Sequence, residues 1–204
     1  MDAYQFLNIG YVISDVDPFV LNVLKSRADK IRSNFETEVN YNKNLAGNIK
    51  KEYDLNDLIP QCEPFILDVC KFYKNSYPAY KPQLVTQSKI VLKDLWINFQ
   101  KKYEFNPVHN HTGLFSFVIW LDIPYSIKDE LDQGPGKESN NNLAGHFEFS
   151  IRNTLGEHTT LPIPADKSYN GKICVFPSAM PHSVYPFYTS DDYRITVSGN
   201  VNFS

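Results

Sequence analysis

Cysteine is scarce in this chain. Cys62, Cys70 and Cys174 form no CxxC pair, and three cannot all pair within one chain. A reduced, cytosolic setting is therefore expected, with the three thiols serving as small buried hydrophobes. Long apolar runs are missing too; none approaches the roughly 20 residues that a membrane helix needs. The amino terminus, MDAYQFLNIG, has no charged region followed by an apolar stretch, so no signal peptide is expected and the protein is placed in the cytoplasm. Strong charge of either sign is lacking: a formal net charge of −3 gives no electrostatic reason to expect nucleic acid or an anionic membrane as a partner. There is also no internal repeat, no low-complexity tract and no Gly-rich phosphate loop.

What is present is material for a core. With 204 residues, 42% of them apolar and 14% aromatic, the chain is neither disordered nor collagen-like and suits one domain spanning 1–204. Its character changes along its length. Residues 1–84 read as mainly helical. Asp17-Pro18 is a helix start, because the aspartate can cap and proline is tolerated in the first turn. Apolar positions then recur at Phe19, Val20, Val23, Leu24 and Ala28, the spacing of one helical face. A second helical stretch runs from about Leu58 to Tyr73, its start blurred by Pro60 and Pro64. Between the two, TEVNYNKNLAGNIKKEYDL is polar and Asn-rich and reads as a loop.

From about residue 85 the pattern becomes that of strands. KIVLKDLWINF, LFSFVIWLDIPY, HFEFSI, KICVFP, SVYPFY and YRITVSGNVNF are rich in β-branched and aromatic residues. With no helical pattern between them they predict an antiparallel sandwich or barrel rather than βαβ units. The polar stretch KDELDQGPGKESNNN reads as a loop, and its 129–142 portion is a candidate lid.

The chemistry is expected at the histidines. In extended backbone, residues i and i+2 share a face, so His109 and His111 can reach one metal ion. His182 follows the apolar run ICVFP, from a distant strand. Two ligands from one strand and a third from another make a three-ligand site with open positions, which oxygen chemistry needs. His146 and Glu148 offer a competing pair with a carboxylate, but too little chain separates them from His182 for the strands of a jelly roll. His158 reads as a solvated loop residue. Arg194, one hairpin after His182, can grip a carboxylate with its planar fork, and Thr196 on the same face adds a hydroxyl. The alternative for Arg194 is a surface ion pair with Asp191 or Asp192.

These residues carry a family resemblance. The run from Trp96-Ile97-Asn98 through HNHTGLFSFVIWLDIPY to GKICVFPSAMPHSVYPFYTSDDYRITVSGNV resembles the 2-oxoglutarate/Fe(II)-dependent oxygenases. Within them it looks most like the small proteins encoded by T4-like cyanophages. The resemblance implies a mostly β fold with flanking α-helices, a double-stranded β-helix (a cupin-like jelly roll), occupying 85–204. It implies Fe(II) and 2-oxoglutarate as cofactor and cosubstrate. His109 and His182 take metal-ligand places, and Arg194 with Thr196 the cosubstrate-carboxylate place. His111 stands where the family's motif has Asp or Glu, giving a three-histidine site. The stretch from Gly171 to His182 also resembles the second cupin motif, with Ala179 in a glycine position.

The implied activity is a dioxygenase that hydroxylates a substrate, releasing succinate and carbon dioxide. A peptidyl substrate is the first expectation, by analogy of fold. Trp96, Asn98, Trp120 and Tyr125 are candidate pocket residues. A cupin-type metalloenzyme that uses no 2-oxoglutarate and a non-catalytic jelly-roll binding protein are the alternatives.

Overall fold

The computed structural model describes residues 9–80 and 89–204. The expected boundary between residues 84 and 85 lies outside these, as do the first eight residues of the amino-terminal stretch. Helix α1 (Pro18–Ser33) starts where the sequence places it, with the Asp17 carboxylate accepting from the backbone amides of Phe19 and Val20 at 2.9 and 3.1 Å. Val20, Leu24, Ala28 and Ile31 form its buried stripe. Phe19, expected on that stripe, is exposed, because it sits about 100° round the helix from Val20. Helix α2 (Ile59–Ser76) accommodates both prolines: Pro60 lies in its first turn, and Pro64 inside it does not end it. Cys62, Ile66, Val69, Cys70 and Tyr73 are its buried face. The three cysteines are free and buried, and burial alone pushes the Cys62 and Cys70 thiols up to about 11 and 12.

Among the described residues, ten strands build two antiparallel sheets. They are β1 (Val12–Asp15), β2 (Glu52–Asp54), β3 (Ile90–Gln100), β4 (Asn106–His109), β5 (Phe115–Asp122), β6 (Phe147–Arg152), β7 (His158–Ile163), β8 (Lys172–Pro177), β9 (His182–Val184) and β10 (Arg194–Phe203). One sheet has the order β1-β8-β5-β10-β3-β2, the other β4-β9-β6-β7. From β3 to β10 the chain therefore passes repeatedly between two four-stranded halves, which is the expected double-stranded β-helix.

Six elements depart from the sequence reading. β4 is not among the expected strands, and of the expected strand SVYPFY only Ser183 and Val184 are extended, in β9. β1 and β2 come from the part read as helix and loop, and extend the larger sheet at both edges. β7, HTTLPI, is mostly exposed and so lacks the apolar signal of a strand. The stretch 128–142 expected as a loop is helical at its start, in α3 (Ile127–Gln133), capped by Ser126 Oγ accepting from the Asp129 amide.

Alternation along the strands divides the larger sheet into two faces. Leu95, Ile97, Phe99, Phe117, Ile119 and Val197 pack against α1 and α2 in one hydrophobic core. The opposite face looks into the barrel. There Trp120 and Phe176 meet Phe147 and Phe149 from the smaller sheet in a second core. Toward the mouth this inner face turns polar, with Asn98, Gln100, Ser116 and Arg194 all buried.

Candidate metal centre and its pocket

Antiparallel pairing of β4 with β9 sets His109 opposite His182, and His111 follows just beyond the end of β4. One ligand atom from each of the three imidazoles lies within 4.8 Å of the others. Ring centroids are 4.3 Å apart for His109 and His182, 5.0 Å for His109 and His111, and 5.2 Å for His111 and His182.

Two of the rings are oriented by the backbone. His109 Nδ1 is 2.7 Å from the Pro107 carbonyl and His182 Nδ1 is 3.0 Å from that of Met180. A proton on Nδ1 is donated to each carbonyl, which leaves the Nε2 lone pair free for a metal. His111 is held through its backbone amide, donating to Ser178 O at 2.8 Å. Burial, aided by the neighbouring His109, lowers His111 to about 4 and His182 to about 3, so both are neutral near pH 7. Neutral imidazoles are what a cation needs as ligands.

The competing pair faces the other way. Phe147 and Phe149 point into the barrel, with centroids 5.5 and 6.5 Å from His182, so His146 and Glu148 alternate to the outer face of the smaller sheet. His146 bonds the Ala144 carbonyl, and Glu148 is approached by the Tyr185 hydroxyl at 3.5 Å. His158 is exposed, as its solvated reading anticipated, and bonds Ser150 Oγ, but it opens β7 and does not lie in a loop.

Beside the three histidines lies a cavity of about 160 Å³. Trp96, Asn98 and Trp120 line it as expected; Tyr125 does not, being buried behind Arg194. The candidate lid does not border it either. Glu130 of α3 is fully buried, accepting from the backbone amides of Tyr188 and Thr189, which ties this segment down elsewhere. The outer wall is instead the stretch Leu45, Ala46, Gly47 and Ile49, in the loop between the two long helices. It is pinned over β4 by the Asn48 amide donating to Phe105 O.

Arg194 and Thr196 also line the cavity, but the arginine is not idle. Its Nε and Nη2 both donate to Gln100 Oε1, Nη1 donates to the Tyr125 hydroxyl and Gly145 O, and Nη2 also reaches Tyr185 O. All five N–H groups are thus engaged, and the Gln100 amide oxygen sits in the fork where a carboxylate fits. Asp191 and Asp192 pair with Lys102 and Arg32, so the surface ion pair considered for Arg194 is not formed. Thr196 Oγ accepts from Asn98 Nδ2 at 3.1 Å, which leaves its own proton free for a ligand.

A double-stranded β-helix with converging imidazoles at its mouth defines a class of jelly rolls built for metal chemistry. The family described as "Putative 2OG-Fe(II) oxygenase" matches residues 94–200, more than half of the chain. The chain belongs to this family of 2-oxoglutarate/Fe(II) oxygenases, which are oxidoreductases. No curated protein matches it.

Solved structures share the fold at low identity. The alpha-ketoglutarate-dependent epimerase SnoN of nogalamycin biosynthesis is 11% identical with a TM-score of 0.57, over 95% of this chain and 76% of that one. A Trichoplax adhaerens prolyl hydroxylase, in complex with a hypoxia inducible factor peptide fragment, is 12% identical with a TM-score of 0.52, over 95% and 83%. A Pseudomonas putida prolyl-4-hydroxylase is 12% identical with a TM-score of 0.50, over 95% and 92%. Among the described residues no helix is long and apolar enough to cross a membrane.

Proposed function

We propose that this protein is an Fe(II)- and 2-oxoglutarate-dependent dioxygenase that hydroxylates its substrate, with Fe(II) held by His109, His111 and His182. The convergence of three imidazoles within 4.8 Å at the barrel mouth carries this reading. The donor set fits a borderline metal such as Fe(II), and two of its Nε2 atoms are already freed by backbone carbonyls. With oxygen and 2-oxoglutarate, the bound metal would supply oxidative decarboxylation to succinate and carbon dioxide coupled to hydroxylation of a substrate C–H bond.

The chain's own residues do the rest. Arg194 and Thr196 hold the distal carboxylate of the cosubstrate: the Thr196 hydroxyl donates its free proton, and Gln100 yields the guanidinium fork. Trp96 and Trp120 line the pocket and keep water from it. Because α1 and α2 share one hydrophobic core with the larger sheet, we read 1–204 as a single oxygenase domain. The resemblance to small cyanophage members, and with it a host-cytoplasm setting, rests on the stretch FPSAMPHSVYPFYTSDDYRITVSGN. A peptidyl substrate is favoured by analogy with the peptide-bound prolyl hydroxylase.

The absence of a carboxylate from the converging trio favours a second reading, a cupin-type metalloenzyme that uses no 2-oxoglutarate. An anaerobic titration of the Fe(II)-loaded protein with 2-oxoglutarate, followed by visible absorption, separates the two. A saturable charge-transfer band is expected, with Thr196→Val raising the half-saturation concentration about tenfold, the worth of one good hydrogen bond. Bound iron without a band gives the site to the cupin reading, and no bound iron defeats both.

A further inference from the structure

We propose that the pocket wall formed by Gly47, Asn98 and Asn106, with Glu52 and Asn42 directly behind it, binds a protonated amine or guanidinium of the substrate. The inference rests on the oxygenase reading, since it names a substrate class for the same pocket.

The observation is a concentration of unmade hydrogen bonds. Seven buried side-chain polar atoms have no partner among the described residues, and four of them belong to this wall or lie directly behind it: Asn42 Oδ1, Glu52 Oε1, Asn98 Oδ1 and Asn106 Oδ1. All four are oxygens. A folded protein leaves few such atoms, because each one costs about 1–3 kcal/mol. Four gathered acceptors are the imprint of a donor-rich group.

The geometry brings them together. Glu52 on β2 is the cross-strand partner of Asn98 on β3, so both point to the same inner face. Asn42 Nδ2 donates to Glu52 Oε2 at 3.1 Å and fixes the carboxyl group from behind. Glycine at position 47 makes room for Asn106: a β-carbon there would stand 2.0 Å from Asn106 Oδ1 and 3.5 Å from Glu52 Oε1. The missing side chain lets Asn106 Oδ1 approach the Gly47 backbone beside Glu52 Oε1.

Sign is decided by Glu52. An asparagine amide can turn over and offer its N–H groups, whereas a carboxylate only accepts. Glu52 is 1% exposed, and no lysine or arginine pairs with it among the described residues. Burial, and secondarily Glu104, raises its carboxyl to about 8, so the empty site holds a proton where a cation would release it. The Trp96 indole, one inward position from Asn98, lines the pocket and stacks on Tyr41 at 5.8 Å, adding an aromatic surface suited to a cation.

The test uses matched probes on the full chain without iron: lysine amide against norleucine amide, and arginine amide against citrulline amide, titrated by ligand-observed NMR. We expect at least one cationic probe to bind about tenfold or more tighter than its neutral partner. Glu52→Gln should erase that preference while leaving neutral binding unchanged, and it should fold, since the free carboxyl is already neutral. Gly47→Ala, on the loop, should weaken cation binding by driving Asn106 off its position, and it serves if Glu52→Gln does not fold.

The lysine and arginine arms distinguish an ammonium site from a guanidinium site. Equal binding of cationic and neutral partners, a preference that survives Glu52→Gln, or no saturable binding by any probe overturns the proposal. The charge-transfer band is recorded on the same proteins after loading with Fe(II). Its absence with cation preference intact defeats only the oxygenase reading, and the reverse result defeats only this one.

Discussion

The two faces of the larger sheet are made by the same strands and share almost no chemistry. On β3, Leu95, Ile97 and Phe99 enter the helix-facing core, while Trp96, Asn98 and Gln100 face the barrel. On β10, Ile195 and Val197 go one way, and Arg194, Thr196 and Ser198 the other. Successive residues thus carry stability and recognition in turn, and a one-residue slip of register would exchange them. The smaller sheet obeys the same rule. It sends His182 inward and His146 with Glu148 outward, although both i, i+2 pairs look alike on paper. A side chain's chemistry counts only on the face where the pleat puts it.

Substitutions on the two faces should therefore fail differently. The largest effect is expected for Phe117→Ala on the helix side, about 3–5 kcal/mol of stability by urea unfolding, because a fully buried ring leaves a cavity. Loss of less than about 1 kcal/mol would mean that the helices are not packed as described. On the barrel side, His182→Ala should weaken Fe(II) binding more than about 100-fold while the fold persists. Glu148→Gln should retain iron at the wild-type level, and iron loss from that variant alone would move the metal to the outer face.

A smaller effect separates the faces by pH. His111 and His182 titrate near 4 and 3 when folded, against about 6.5 in an unfolded chain. As pH falls below about 6.5 the unfolded state takes up protons first, so the stability these two rings contribute to the metal-free fold is lost progressively there and is constant above, while the raised Glu52 carboxyl acts in the opposite direction. In the Glu52→Gln background, which removes the opposing carboxyl, melting temperatures of the metal-free protein should fall from pH 7.5 to 5.0, with a shallower slope when His182→Ala is added; identical slopes would contradict the burial of that ring. The smallest change expected is at the helix cap: Asp17→Ala should cost about 1 kcal/mol in urea unfolding and leave iron binding intact.

Much of the barrel was legible in the sequence because its central strands are long or strongly apolar. β3, β5, β8 and β10 advertise themselves through β-branched and aromatic residues, and Asp17-Pro18 marks α1 by cap chemistry alone. The three histidines were legible through spacing. β1 and β2 were not, since strands of four and three residues carry too little periodicity to register. α3 was hidden in a charged, Gly-containing stretch, and the anchoring of Glu130 by residues 188 and 189 is a tertiary event with no local sign.

Arg194 was read as an open fork, and only the fold reveals Gln100 already in it. The same holds for Glu52. In TEVNYNKNLAGNIKKEYDL it is one charge among several, and its burial follows from β2 joining the sheet edge.

The loop wall at 45–49 has a consequence for how such a protein could acquire new tasks. The family's matched stretch begins at residue 94, so the three histidines fall within it, while Gly47 and Glu52 lie outside it. The part that would do the chemistry lies wholly in the matched stretch, whereas the part that would choose the molecule is divided, with Asn98 and Asn106 inside it and Gly47 and Glu52 outside. An exchange of residues 42–52 between relatives could redirect the protein to another substrate without altering any of the three histidines.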